Sequence, residues 1–135
     1  MTLPESELKK VEDLIVDVAN GVEDVGALLY HLKRLRLRYG EHPIILSTEA
    51  DYVDSVVDRL RLYVRAVELS EKQHDVACLT QSAESIIELY IDEICDIEQA
   101  NIWYSKLTHY INKFGSEYTL STMSHLKSRL DSMGT

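Results

Sequence analysis

Apolar side chains recur along most of the chain at intervals of three and four residues, the spacing that places them on one face of an α-helix. No segment alternates strongly enough between apolar and polar residues to indicate a β-strand. The faces predicted to be buried comprise Leu8, Val11, Leu14, Ile15 and Val18; Val25, Leu28, Leu29, Leu32 and Leu35; Val56, Val57, Leu60, Val64 and Val67; Leu79, Ala83, Ile86, Ile87, Tyr90 and Ile94; Ala100, Trp103, Leu107, Tyr110 or Ile111, and Phe114; and Met123, Leu126 and Leu130. The chain is therefore predicted to be all-α.

Residues that favour helix ends divide this pattern into six or seven helices. Helix starts are indicated at Pro4 and at the cap-like pairs Ser55 with Asp58 and Asp96 with Gln99, and helix ends at Asn20-Gly21, Gly40 and Gly115. The predicted helices span about residues 4–19, 22–39, 44–53, 55–73, 76–94 and 96–114, and a last one begins at about residue 120. The β-branched pair Ile44-Ile45 leaves a short strand as the alternative for residues 44–53.

The connections between these helices are only a few residues long, so consecutive helices are expected to pack as antiparallel neighbours. A chain of 135 residues is large enough to bury its own core, and two prolines and five glycines are too few for a loop-rich protein. We therefore predict a single domain, residues 1–135, built as a helical bundle or a stack of helix hairpins.

Residues 55–73 and 96–114 are similar at an offset of 41 residues, and each follows a shorter apolar helix that contains two adjacent isoleucines. The positions that carry a family pattern are Leu46, Ser47, Tyr63 and Ala66 in the first copy and Ile87, Ala100, Tyr104 and Leu107 in the second. Over residues 43–114 the sequence resembles tetratricopeptide-repeat proteins, in which helix pairs stack and small residues allow close approach. The resemblance implies an adaptor or chaperone that holds a peptide in a helical groove.

The sequence departs from that family in its spacing and at several positions. The departures are Arg59 and Glu88, where small residues are usual, and Glu71 and Asn112, where a proline is usual. The alternative is a set of ordinary helix hairpins that look alike because all of them are amphipathic.

The chain is acidic, with 23 aspartates and glutamates against 14 lysines and arginines and a formal net charge of −9. This charge opposes binding to nucleic acid or to an anionic membrane and favours a basic protein partner. There is no apolar run long enough to span a bilayer, and the first residues, Met1 to Glu5, lack the pattern of a secretory signal. We expect a soluble, cytoplasmic protein.

The residue types that usually carry chemistry are scattered. Cys78 and Cys95 are 17 residues apart, about 25 Å along one helix, so we expect two free thiols in the core. The five histidines, His31, His42, His74, His109 and His125, form no metal-binding motif, and no nucleophile or nucleotide-binding motif occurs. We therefore predict no catalytic residue, no metal, no cofactor and no enzymatic activity.

Acidic residues are concentrated between positions 82 and 105, where lysine and arginine do not occur. The six acidic residues are Glu84, Glu88, Asp92, Glu93, Asp96 and Glu98, and we predict that they bind a partner. The first three follow each other at i, i+4 spacing, which predicts one exposed line along a helix. Like charges at this spacing cost about 0.2–0.5 kcal/mol per pair. Three sources of compensation for this repulsion are left open: Arg59, Arg61 or Arg65 of the preceding helix, water and salt, or a basic partner.

The main basic segment is residues 33–38, which contains four cations. Four cations are too few for a nucleic-acid site. The segments on both sides are strongly acidic and would also repel a phosphate backbone. We expect these cations to pair with the acidic flanks or to lie at a helix C-terminus, where a positive charge is favourable.

These observations favour a non-enzymatic protein-binding domain. The first hypothesis is a small acidic immunity or antitoxin-type protein that binds and neutralises a basic protein such as a nuclease toxin. The alternative is an adaptor or secretion chaperone, similar to tetratricopeptide-repeat proteins, that binds a peptide or partner helix. A small-molecule-responsive regulator or an enzyme comes third, and a homo-oligomer is left open.

Overall fold

The computed structural model describes residues 3–114 and 120–134, and this part of the chain is helical with no β-strand. Within it, seven α-helices and one π-helical segment follow in the order α1 (Glu5–Ala19), α2 (Val25–Tyr39), α3 (Pro43–Tyr52), α4 (Val56–Gln73), α5 (Val76–Leu89), the π-helical segment (Tyr90–Ile94), α6 (Ile97–Phe114) and α7 (Leu120–Met133). The all-α prediction is confirmed. The segment for which a short strand was the alternative is a helix, which begins at Pro43 and ends at Tyr52. The predicted end at Gly115 lies outside the described residues.

Side-chain caps set the helix starts. The Ser55 hydroxyl accepts a hydrogen bond from the backbone N–H of Asp58 at 3.3 Å, and the Asp96 carboxylate accepts one from the N–H of Gln99 at 3.1 Å. Both caps were predicted. Helix α2 begins three residues later than predicted because Asp24 is its cap and accepts from the backbone N–H of Ala27 at 2.9 Å.

Consecutive helices pack against each other along the chain. The most extensive contacts join α4 to α3 and α5, and α5 to α6, and α3 also touches α5 directly. Helix α3 shows no clear polar face because neighbours cover several of its sides, and Ile45, Leu46 and Ala50 are almost fully buried. The middle of the molecule is therefore a stack of helix pairs, with α1 and α2 before it and α7 after it.

Two apolar cores form, and α3 contributes to both. One core joins α1, α2 and the start of α3 around Leu28, Leu32 and Ile45. The other joins the end of α3 to α4, α5, α6 and α7, with Ala50 and Ile86 among its buried residues. Helix α3 therefore couples the first helix pair to the rest of the molecule.

Three residues predicted to be buried are exposed: Val25 by 37%, Val57 by 65% and Ile94 by 39%. Val25 and Val57 lie in the first turns of α2 and α4, and Ile94 is the last residue of the π-helical segment. At helix ends the apolar periodicity continues, but the neighbouring helix no longer covers that face. None of the described helices is long and apolar enough to cross a bilayer.

The predicted helix over residues 76–94 changes its hydrogen-bond pattern after Leu89. Residues Tyr90–Ile94 are π-helical, with about one extra residue in the turn, and Cys95 follows in the left-handed region at φ 59°. The backbone N–H of Asp96 donates to the carbonyl of Tyr90 at 2.9 Å and closes this end. The i, i+4 geometry of an α-helix therefore does not extend past Leu89.

Candidate acidic interaction surface

Four of the six predicted acidic residues are brought together at the outer side of α5 and the π-helical segment. Glu84 and Glu88 are partly exposed on α5, and Asp92 and Glu93 are exposed on the π-helical segment. Glu88, Asp92 and Glu93 line one small cleft, and Glu84 lies one helical turn before Glu88 on α5. We call these four residues the acidic surface.

The other two predicted residues have different positions. The Asp96 carboxylate caps α6, and its charge contributes to a raised pKa of Tyr90, for which burial is the larger cause. Glu98 is exposed in the first turn of α6, where the positive end of the helix dipole favours an acidic residue. Nothing in the described part of the chain joins Glu98 to the acidic surface.

Glu84 and Glu88 form the predicted pair of like charges. Burial raises the pKa of the Glu84 carboxyl, and the charge of Glu88 raises it further. In the described residues, no lysine or arginine lies within ion-pair distance of either carboxylate. The pair therefore carries an electrostatic cost that the protein does not offset with a direct contact.

Asp92 differs because it has a cation of its own. The Arg129 guanidinium of α7 donates to the Asp92 carboxylate. The hydrogen bond to Asp92 raises the pKa of Arg129, and the charges of Asp92 and Glu88 act in the same direction. Asp92 is exposed and lines the same cleft as Glu88, but it is already paired with Arg129 because the π-helical segment packs against α7.

The three arginines expected to offset the acidic line make other contacts. Arg61 pairs with Asp58 at 3.6 Å, and Arg65 pairs with Glu41 at 3.4 Å and Glu68 at 3.3 Å.

Arg59 comes closest to the acidic surface, since it lines the same cleft as Glu88, but its Nε donates to the carbonyl of Ala50 at 3.1 Å. It also contacts Tyr63, whose hydroxyl donates to Asp51. Burial and the Asp51 contact raise the pKa of Tyr63 to about 12. Burial likewise raises the pKa of Asp51. Arg59 is thus part of a polar link between α3 and α4.

The cleft beside the acidic surface has a volume of about 130 Å³. Its walls come from Arg59 and Tyr63 of α4 and from α5 and the π-helical segment. Pockets for small molecules usually enclose about 300–1,000 Å³. The cleft is therefore too small for a typical substrate but has the size of a single side-chain head group.

Sequence reasoning missed Arg129. It lies 37 residues from Asp92, and neither its helix position nor its neighbours in sequence mark it as a partner of the acidic residues. The basic segment behaves partly as predicted, since Arg36 pairs with Glu49 of the acidic flank.

The described residues contain no metal-binding cluster and no disulfide. No group of three or more His, Cys, Asp and Glu side chains there is arranged to hold a metal ion. Cys78 and Cys95 are both free thiols, as predicted, and Cys78 is buried. Cys95 is exposed, so its prediction as a core residue is wrong, because it follows the π-helical segment outside the packed helix.

We compared the chain with models of protein families, with curated proteins and with solved structures, and none of the three comparisons found a match. The resemblance of residues 43–114 to tetratricopeptide repeats therefore stays a prediction.

Proposed function

We propose that this protein is a non-enzymatic binding protein whose acidic surface engages a basic surface of another protein. A small immunity or antitoxin-type protein that neutralises a basic nuclease toxin is the best example of this class. The observation that carries the proposal is the Glu84–Glu88 pair, a partly buried pair of like charges with no ion-pair partner in the described chain.

The pair is costly for the isolated protein. Two carboxylates one helical turn apart repel each other, and burial of Glu84 adds to the cost of its charge. A lysine or arginine of a partner would remove this cost on binding. Such charge complementarity contributes mainly to association rate and specificity.

The neighbouring charges define the surface further. Glu93 is exposed and has no cation within ion-pair distance in the described residues, whereas Asp92 is already paired with Arg129. A partner therefore meets Glu84, Glu88 and Glu93 as the available carboxylates. Glu88 and Glu93 also line the 130 Å³ cleft, whose volume is below the usual range of small-molecule pockets, and this favours binding of a protein surface over catalysis.

The test is affinity capture followed by mass spectrometry with three forms of the full chain. The site variant carries Glu84→Lys, Glu88→Lys and Glu93→Lys, and leaves the Asp92–Arg129 pair intact. The control carries Glu12→Lys, Asp17→Lys and Glu23→Lys, which changes the net charge equally on the α1 side of the molecule.

We expect the wild type and the control to retain a basic protein that the site variant loses by at least about tenfold. Far-UV circular dichroism must show equal helicity for all three forms. Equal capture by the site variant would contradict the proposal, and so would a captured partner that is acidic.

A second candidate is the adaptor or chaperone function, which a different cleft favours. This cleft encloses about 480 Å³ beside α2, α3 and α4, and contains apolar side chains of Leu46, Val53 and Leu62. The Arg36–Glu49 and Arg65–Glu41 ion pairs border it. Capture that survives the reversal of the acidic surface but is lost in Val53→Lys would favour this function over the first.

A further inference from the structure

A second charged feature lies at the other end of the chain, in a cleft between α1 and α2. The cleft encloses about 440 Å³. Its lining residues are Glu7 and Lys10 of α1 and His31, Arg34, Leu35, Leu37 and Arg38 of α2. With His31 neutral, these residues carry a net charge of +2, although the whole chain carries −9.

Four of the lining residues share one face of α2. His31, Arg34, Leu35 and Arg38 follow each other at i, i+3, i+4 and i+7, which places them along one side of the helix. Leu35 is buried and packs into the core of α1 and α2. The two arginines are therefore held at the rim of a packed helix pair, one turn apart.

The two arginines are not used in ion pairs. In the described chain, neither Arg34 nor Arg38 lies within 4.0 Å of a carboxylate oxygen. Arg36, between them in sequence, points to the opposite side of the helix and pairs with Glu49. The Arg34 guanidinium lies 6.0 Å from the centre of the Tyr30 ring, and the Arg38 guanidinium lies 5.3 Å from the centre of the Tyr39 ring. Aromatic rings position these cations without neutralising them.

The third polar group is His31. Its Nε2 atom is buried and has no hydrogen-bond partner among the described residues. Buried polar atoms are nearly always paired with protein groups or ordered water, so this nitrogen leaves one hydrogen-bonding group of the cleft wall without a partner from the described chain. In a chain with 23 acidic residues, two arginines that line the same cleft without an ion pair are the stronger sign of an anion site.

We infer that the cleft between α1 and α2 is an anion site that binds the phosphate group of a small phosphorylated molecule. Arginine forks bind phosphate oxygens in pairs and with defined geometry, and two forks one turn apart present this geometry to one phosphate or two adjoining ones. Lys10 also lines the cleft but pairs with Glu7 at 3.7 Å, so the two arginines supply its net positive charge. The volume of about 440 Å³ exceeds that of a bare ion and lies in the range of small-molecule pockets.

The rim also fits a ligand with an apolar part. Leu37 is 79% exposed and lines the cleft, and Tyr30 is 65% exposed beneath Arg34. The phosphate can therefore belong to a free metabolite or to a lipid head group. Because the net charge of −9 repels anions at long range, binding is expected to depend on the local arginines and to weaken steeply with salt.

The test uses inorganic pyrophosphate as the free probe and amide chemical shifts of the full chain as the readout. We expect saturable shifts at residues of α1 and α2 in the wild type. Affinity should fall at least about tenfold in the double variant Arg34→Gln, Arg38→Gln. The control variant Arg61→Gln, Lys72→Gln removes the same charge from α4 and is expected to bind like the wild type.

A parallel arm uses vesicles of phosphatidylcholine with phosphatidic acid, measured by sedimentation. Vesicle binding that the double variant loses, without pyrophosphate binding, assigns the phosphate to a lipid head group and supports the site. Binding of neither probe overturns the inference. A double variant that binds either probe like the wild type also overturns it. If the double variant loses helicity, Arg38→Gln alone is tested and is expected to weaken binding, and unchanged binding overturns the inference.

The anion site and the acidic surface are separable. The Arg34→Gln, Arg38→Gln variant is expected to capture a basic protein as the wild type does, because the substituted residues lie on α2 and the acidic surface lies on α5 and the π-helical segment. Failure of one proposal therefore leaves the other standing.

Discussion

At the level of single residues, Glu84 shows how a binding role and stability can oppose each other. Its carboxyl is partly buried and lies beside Glu88, and both features raise its pKa above the usual 4.5. The folded state therefore holds this proton more tightly than the unfolded state does. The resulting penalty is fully present above the raised pKa and disappears as pH falls below 4.5, where Glu84 is protonated in both states.

We predict that Glu84→Gln raises the free energy of unfolding by about 0.2–0.5 kcal/mol at pH 7. The gain should vanish on acidification to below about pH 4, because the wild-type carboxyl is then neutral as well. Urea unfolding at several pH values measures this. Glu12→Gln, which changes an exposed carboxylate in the middle of α1 with no ion pair among the described residues, is the control. A Glu84→Gln variant that is less stable than the wild type at pH 7 would show that the carboxylate has a stabilising contact.

Cys95 is a residue with a Cβ atom whose backbone departs from the ordinary pattern. Its φ of 59° lies in the left-handed region, which costs a residue with a Cβ atom about 1–2 kcal/mol and costs glycine almost nothing.

We predict that Cys95→Gly raises the free energy of unfolding by about 0.5–1 kcal/mol, after allowing for the greater freedom of glycine in the unfolded chain. Cys95→Ala keeps the Cβ atom and should leave stability unchanged. Urea unfolding of both variants distinguishes the backbone from the thiol, since equal effects of glycine and alanine would place the effect in the lost sulfur.

At the level of elements, the sequence predicts the helices well and their details less well. Helix periodicity and the caps at Ser55 and Asp96 are local signals, so helix number and most boundaries follow from them. The π-helical segment could not be predicted from these signals, because its residues are as apolar and as periodic as an ordinary helix end. The pairing of Asp92 with Arg129 depends on packing between segments 37 residues apart, which no local pattern contains.

The Asp92–Arg129 contact ties the π-helical segment to α7, and its strength can be measured. The two side chains are 51% and 28% exposed, so we predict a coupling free energy of only about 0.2–1 kcal/mol. A double-mutant cycle with Asp92→Asn and Arg129→Gln measures it, and the coupling should shrink in about 1 M salt. A coupling free energy above about 2 kcal/mol that does not change with salt concentration would mean that the pair is part of a buried network.

At the level of the whole molecule, the charges are divided between two regions. The acidic surface lies on α5 and the π-helical segment, and the cationic cleft lies between α1 and α2. The net charge of −9 was enough to predict a basic partner as a class. It did not predict which carboxylates are available, since internal pairing removes Asp92 and capping occupies Asp96.

The measurement that tests the central claim most directly is the association rate constant with the captured basic partner as a function of salt. For the wild type we predict a rate that falls at least about tenfold between about 0.05 and 0.5 M salt, because screening shortens the reach of the acidic surface. For the Glu84→Lys, Glu88→Lys, Glu93→Lys variant we predict a slow rate with little salt dependence. A wild-type rate that ignores salt, or a variant that associates as fast as the wild type, would contradict the proposal that this surface binds the partner.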